Sequence, residues 1–418
     1  MEPFLLYIDP GTGSMLFSVF IGAAATLFFL ARAAWLKLQV LFSGRKALEA
    51  AKAARKKFVI YNEGKQYCNV FKPVLDAFER RKIEVAYFTS FAEDPAFTSG
   101  YSFVKAEYIG EGNAAFARLN LLQADIVLMT TPGLDVYQLK RSKKVSHYAH
   151  IRHGAGDATM YRLFGLDYFD SVLLTGDYQK EDIRTLEKQR GIAHKELVTV
   201  GCTYLDELKA KLDRLPTEEN HEFTVLVCPS WGSSAILSKY GERLLTPLLA
   251  TGWKIIVRPH PQSKKSESAM LTRLSERYKD AANLEWNFER DNIGALSRAD
   301  IMISDFSSVI YDYTFLRDKP VMYVNADIDL RIYDASELEG KKIWQFATLE
   351  KIGIELKEEQ FADIKRVIQE ASDSPALKAA RAEAKAQAWK YEGQAGEKTC
   401  EFMVKKQAEL QAGLQEAV

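Results

Sequence analysis

Four segments of this sequence place phosphate-binding or proton-transferring side chains directly after runs of β-forming residues. VSHYAHI (145–151) runs into Arg152-His153-Gly154-Ala155-Gly156-Asp157, and KIIV (254–257) into Arg258-Pro259-His260-Pro261. DIMI (300–303) runs into Ser304-Asp305-Phe306-Ser307-Ser308 and then the helical pattern VIYDYTFL, which carries Asp312. FTVLV (223–227) runs into Cys228-Pro229-Ser230-Trp231-Gly232. An imidazole titrates near neutrality, so His153 can take a proton from a hydroxyl. Gly154 beside it lets the backbone turn sharply and a ligand approach. Asp157, four residues on, could orient that ring or cap a helix, and a histidine at a strand end is often structural. In the second segment, two prolines stop the strand and stiffen its exit. They fix a guanidinium and an imidazole suited to a pyrophosphate and a departing phosphate. Ser307 and Ser308, opening a helix, offer amides, hydroxyls and the positive end of a helix dipole to an anion. Serine is also the favoured residue for a plain N-cap. His147 and His150 share a three-residue spacing with His153, which raises a metal cluster. Along a strand 147 and 150 face opposite ways, so the reading here is a buried strand and no metal site.

The elements that must present these groups alternate between short apolar strands and helical stretches. Expected strands are KFVIYN (57–62), EVAYFT (84–89), DIVLMTT (125–131), VSHYAHI, SVLLTG (171–176) and LVTVG (197–201). After a polar linker at 212–222 come FTVLVCPS (223–230), KIIVRPH (254–260), NLEW (283–286), DIMISD (300–305) and PVMYVN (320–325). Near-continuous apolar strands alternating with helices predict parallel sheets covered on both faces. In such sheets ligands lie outside the carboxyl ends of the strands. The fold class is therefore α/β, with two Rossmann-like domains facing a cleft and one N-terminal transmembrane helix ahead of them. The expected boundaries are a membrane anchor at 1–45, a first Rossmann-like domain at 46–215, a second at 220–385, and a helical segment at 386–418. The last of these closes the second domain or folds back on the first.

Length and charge agree with that plan. At about 150 residues per domain, 418 residues predict two to three folded units. Fifty-six basic residues offset 56 acidic ones, which removes the overall positive charge of a nucleic-acid binder. The four cysteines, at 68, 202, 228 and 400, are far apart, so neither a disulfide framework nor a zinc site is expected. Residues 15–31 (MLFSVFIGAAATLFFLA) carry no charge, and the apolar character resumes after Arg32, giving a helix over about 15–41. Seventeen residues is the lower limit for spanning a bilayer. Cations crowd the carboxyl side of the stretch and none precedes it. The positive-inside rule then puts the amino terminus outside and the rest in the cytoplasm, at the cytoplasmic (inner) membrane as a single-pass protein.

His153-Gly154, Arg258-Pro259-His260-Pro261, and Ile303-Ser304-Asp305-Phe306-Ser307-Ser308-Val309-Ile310-Tyr311-Asp312-Tyr313 with Lys319-Pro320 together resemble the CDP-glycerol glycerophosphotransferase family, makers of teichoic-acid-like polymers on a GT-B scaffold. The likeness covers roughly residues 145–330 and extends weakly to 400. It implies a donor domain holding CDP-glycerol or a related CDP-alditol, with its pyrophosphate at Ser307 and Ser308 and near His260. Gly154, Arg258, Ser230, Trp231, Ser304, Asp305 and Asp312 are the other implied substrate-binding positions. A hydroxyl of a glycan or lipid-linked acceptor would come from the first domain, with His153 as base, and CMP would leave; His153, His260 and Asp157 are the expected catalytic residues. No cofactor is required, and an ion bridging the pyrophosphate is compatible with the sequence without being called for by it. The chain departs from the family in two places. After His153-Gly154 it reads Ala155-Gly156-Asp157-Ala158 where Thr-Pro-Leu-Lys is common, and Pro229-Ser230-Trp231-Gly232 stands for Pro-Thr-Trp-Arg. Rival readings are a GT-B nucleotide-sugar glycosyltransferase, a catalytically inactive nucleotide-binding scaffold and, more remotely, a sugar-nucleotide epimerase.

Overall fold

The computed structural model describes residues 55–216, 222–289, 291–325, 328–371 and 375–416. The apolar stretch at 15–31, and with it the expected anchor, lies outside these residues. Among the described residues, no helix is long and apolar enough to cross a membrane. Lys56–Val418 form a single compact unit built on two sheets.

The first sheet holds β1 (Lys56–Asn62), β2 (Val85–Thr89), β3 (Val104–Tyr108), β4 (Ala124–Met129), β5 (Val145–Ile151), β6 (Ser171–Leu174) and β7 (Glu196–Thr199), in the order β3-β2-β1-β4-β5-β6-β7. The second holds β8 (Thr224–Val227), β9 (Lys254–Val257), β10 (Leu284–Trp286), β11 (Ile301–Ser304), β12 (Val321–Tyr323) and β13 (Gly353–Glu355), in the order β10-β9-β8-β11-β12-β13. Every pairing is parallel. Helices therefore cover both faces, and the central strands β4, β8 and β11 are buried at every residue. Each sheet reverses its strand order once, between β1 and β4 and between β8 and β11. Those are the crevices where α/β sheets take ligands.

Two strands were not anticipated. β3 (VKAEY) is an edge strand with only Val104 fully buried, so its composition carries no apolar run. β13 (GIE) is three residues long and is recruited by pairing with β12. The expected strands at 171–176, 223–230, 254–260 and 320–325 stop earlier, because their last residues are already loops.

The lobes share a core beneath the cleft. Ala155, Cys202, Leu205 and Leu208 from the first pack with Leu226, Ile310 and Tyr311 from the second. The C-terminal chain crosses back over this junction. Gly176 and Gly201 leave the Gln387 and Lys390 carbonyls no room for a Cβ beneath them. Helix Ala395–Glu416 then buries Cys400 and Met403 in the first lobe's core, alongside helix Cys68–Arg80. Arg80 and Arg81 pair with Glu397, and Arg81 with Glu401, at that seam.

Candidate active site

The second-lobe half of the site is organised by one buried carboxylate. Asp305, 1% exposed, follows β11 directly and accepts from the amides of Ser230 (3.0 and 3.2 Å), Ile236 (2.9 Å) and Ser307 (3.2 Å). It thereby joins the loops after β8 and β11 across the strand-order reversal. Burial pushes its carboxyl up, and those amide bonds pull the other way. Ser304 Oγ adds a bond to the Cys228 carbonyl (2.6 Å). Ser304 and Asp305 thus hold backbone.

What they hold is the start of helix Val309–Arg317. Ser308 stands at its N-cap position, exposed, and its side chain makes no capping hydrogen bond. The plain capping role is therefore not taken, and the hydroxyl sits at the positive end of the helix. Arg258 donates to Asn287 Oδ1 and to the Glu289 carbonyl (3.0 Å). His260 Nδ1 accepts from the Gln262 amide (3.1 Å), and its ring lies beside the exposed Trp231, 6.3 Å between centroids. Burial lowers the His260 pKa, opposed by Glu267, so the imidazole is neutral at pH 7.

The first-lobe half is the loop after β5. His153 Nδ1 lies 3.0 Å from the Tyr161 hydroxyl, and Tyr67 packs 5.6 Å from its ring. Burial, reinforced by the Arg152 charge, pushes its pKa down to about 3. Asp157 is not its partner: Asp157 Oδ1 accepts from the Thr159 amide (3.0 Å) and hydroxyl (2.8 Å), capping the turn Ala158–Met160. Of the two roles open to Asp157, the structure takes the cap. Gly154 faces open space where a Cβ would stand. His147 and His150 take opposite sides of β5. The first bonds Ser171 Oγ (2.9 Å), and the second is buried between Tyr161 and Phe169. Among the described residues no three His, Cys, Asp or Glu side chains gather as a metal site.

Between the halves lies a cleft of about 580 Å³ lined by both lobes. Arg258, His260, Ser307 and Ser308 form its second-lobe wall. Lys65, Asn69, Lys72 and Lys211 stand among the residues of the other wall. His153 is not among the residues that line the cleft; it packs against Tyr67, and its loop reaches the serine pair. A Cβ on Gly156 would lie 3.5 Å from Ser308 Cβ. Gln345 couples the loops, accepting from the Asp157 amide (3.2 Å) and donating to the Phe306 carbonyl (3.0 Å). Asp312 lies behind the wall and accepts from Asn292 Nδ2 (3.4 Å), and burial lifts its carboxyl to about 7.

Sequence reasoning missed Gln345, Lys72 and Lys211. Lys211 donates to Asn69 in the first lobe (2.8 Å) and Asp291 in the second (2.6 Å), spanning the cleft. In sequence both lysines read as ordinary cations on amphipathic helices, and no local pattern separates them from solvated ones.

Residues 177–338 match the family model for CDP-Glycerol:Poly(glycerophosphate) glycerophosphotransferase. This segment is similar to that family. It contains every second-lobe residue of the cleft described above, so the resemblance drawn from Arg258-Pro259-His260-Pro261 and the Ser-Asp-Phe-Ser-Ser run holds. No curated protein matches the chain. Among solved structures, the wall teichoic acid polymerase TagF is similar at 14% identity, covering 84% of this chain and 89% of its own, with a TM-score of 0.53. The UDP-GlcNAc 2-epimerases of Methanocaldococcus jannaschii (13% identity, 84% and 99% covered, TM-score 0.51) and Neisseria meningitidis (12%, 84% and 100%, 0.51) are similar too. At these identities the likeness establishes the two-lobed GT-B-like α/β fold.

Proposed function

We propose that this protein transfers glycerol phosphate from CDP-glycerol to a hydroxyl of a glycan or lipid-linked acceptor, releasing CMP. The observation that carries the reading is the junction of two independent facts. The family match falls on residues 177–338, and within it Arg258, His260, Ser307 and Ser308 share one wall of the interlobe cleft. In this reading the donor's diphosphate lies over the serine pair at the helix start, with Arg258 and His260 along its oxygens. The acceptor hydroxyl attacks the phosphorus bearing the glycerol, a new P–O bond forms in line, and the bond to the CMP phosphate breaks. His153 takes the acceptor's proton. Burial and Arg152 make it a weak base, and the negative charge of the donor's diphosphate works against them by favouring the imidazolium. Such a transfer depends on positioning and charge neutralisation and needs no covalent intermediate or organic cofactor. The apolar stretch at 15–31 would hold the enzyme at the membrane, next to a lipid-linked acceptor.

The test incubates the full-length protein with membranes as the source of acceptor, offering CDP-glycerol, CDP-ribitol, UDP-sugars and GDP-sugars separately. The nucleotide released is then identified. CMP from CDP-glycerol with glycerol phosphate in the product is expected. UDP or GDP release would make the protein a glycosyltransferase, and binding of CDP-glycerol with no turnover would make it a scaffold.

A further inference from the structure

A general base needs its ring held in one tautomer, and here the partner that hydrogen-bonds the ring is not a carboxylate. Asp157 Oδ1 caps a turn. The atom beside His153 Nδ1 is the Tyr161 hydroxyl, at 3.0 Å. Tyr161 is 8% exposed and clamped from several sides. The Arg152 guanidinium lies over its ring at 4.4 Å, and His150 meets the ring edge-on at 5.2 Å. Its backbone carbonyl accepts from the Asp334 amide (2.9 Å), and the next residue, Arg162, bridges Tyr333. Those partners come from the segment after β12, so the second lobe itself holds Tyr161 in place. The Thr130 hydroxyl, buried close to the phenol and making no hydrogen bond of its own, is a group toward which the phenol's proton can turn.

We propose that Tyr161 is the positioning residue of His153: its oxygen accepts the Nδ1–H, leaving the Nε2 lone pair to receive the acceptor's proton. This rests on the reading of His153 as the base. On transfer, the acceptor O–H breaks, the proton joins Nε2, and the imidazolium keeps its Nδ1–H on the phenol. A tyrosine fills the place a carboxylate takes in many histidine pairs, and it adds no negative charge beside an anionic substrate. Because the second lobe clamps Tyr161, the base is aligned only when the two lobes are engaged.

The experiment uses full-length protein labelled with ¹⁵N, read by long-range ¹H–¹⁵N histidine spectra. His153→Ala identifies the His153 signals by their loss. The wild-type spectrum is expected to show neutral His153 protonated at Nδ1, and a dominant Nε2–H tautomer would overturn the proposal even if Tyr161→Phe does not fold. Tyr161→Phe keeps the ring that packs on Arg152 and His150. Its kcat should fall about 10- to 100-fold, a part of the ~100- to ~10,000-fold that a general base supplies. KM for CDP-glycerol should stay within about 2-fold, and the tautomer should shift toward Nε2–H. An inactive His153→Ala alongside a fully active Tyr161→Phe refutes the positioning role alone. A fully active His153→Ala removes the base itself.

Discussion

Replacing Asp312 with asparagine should stabilise the protein above neutral pH and matter less in acid. The side chain is 7% exposed, in the helix that begins at the serine pair, with Asn292 and Tyr204 as its polar neighbours. Burial raises its pKa from 3.8 to about 7, so folding favours the protonated acid. The stability this confers is fully present below pH 3.8, is lost as pH rises, and is gone above about 7. Each pH unit in that window costs about 1.4 kcal/mol, so burying this group costs on the order of 4 kcal/mol at pH 8, where it is ionised in the fold, and about 1.6 at pH 5, where it must first take up a proton. Asparagine has the same shape, still accepts from Asn292, and carries no charge at either pH. With unfolding entropy of about 2.1 cal/mol/K per residue, a body of this size gains on the order of 5 °C at pH 8 and about 2 °C at pH 5. Paired thermal unfolding of wild type and Asp312→Asn from pH 5 to 8.5, at constant ionic strength, measures this. An advantage that does not grow with pH, or a less stable variant at pH 8, would show that the carboxyl is not held protonated by burial.

Three further outcomes follow from the site and the lobe junction. Ser308→Ala should leave Tm within about 1 °C, since the hydroxyl makes no cap, where a working N-cap would cost about 1 kcal/mol. Its Kd for CDP-glycerol, by calorimetry, should rise about 10-fold for one lost charge-assisted bond. His260→Ala should slow CMP release at least about 100-fold while the melting curve stays that of wild type; unchanged turnover would remove this imidazole from the chemistry. Arg190, in the first lobe, pairs with Asp167 (2.6 Å), Asp334 (2.6 Å) and Glu337 (2.7 Å), the last two on the second lobe's segment. Arg190→Met strands buried carboxylates and should cost about 3–5 kcal/mol at pH 7.5. That loss should shrink below pH 6, because burial already lifts Asp334 to about 6 and protonation removes its need for a partner. Urea titrations at pH 7.5 and 5.5 test it, and equal losses at both would refute the account.

Much of this was legible along the chain because it is written in local pattern. Apolar runs such as ADIVLM and IMIS, separated by helical periodicity, give two parallel sheets without any knowledge of contacts. Strand ends marked by Arg-Pro-His-Pro and Ser-Asp-Phe-Ser-Ser give one wall of the cleft, since ligand groups collect at strand carboxyl ends. The edge strand VKAEY and the short GIE escaped because backbone pairing, not apolar composition, makes them strands. Tertiary structure alone decided which side chains are spent on the protein and which are left for a ligand. Asp157 and Asp305 are both strand-end carboxylates in sequence, yet one caps a turn and the other gathers three amides. Tyr161, Gln345 and Lys211 matter only through partners between 8 and 188 residues away. Hydrogen bonding acts over about 3 Å of space, and spacing along a chain carries no record of which distant segments folding will bring within that reach.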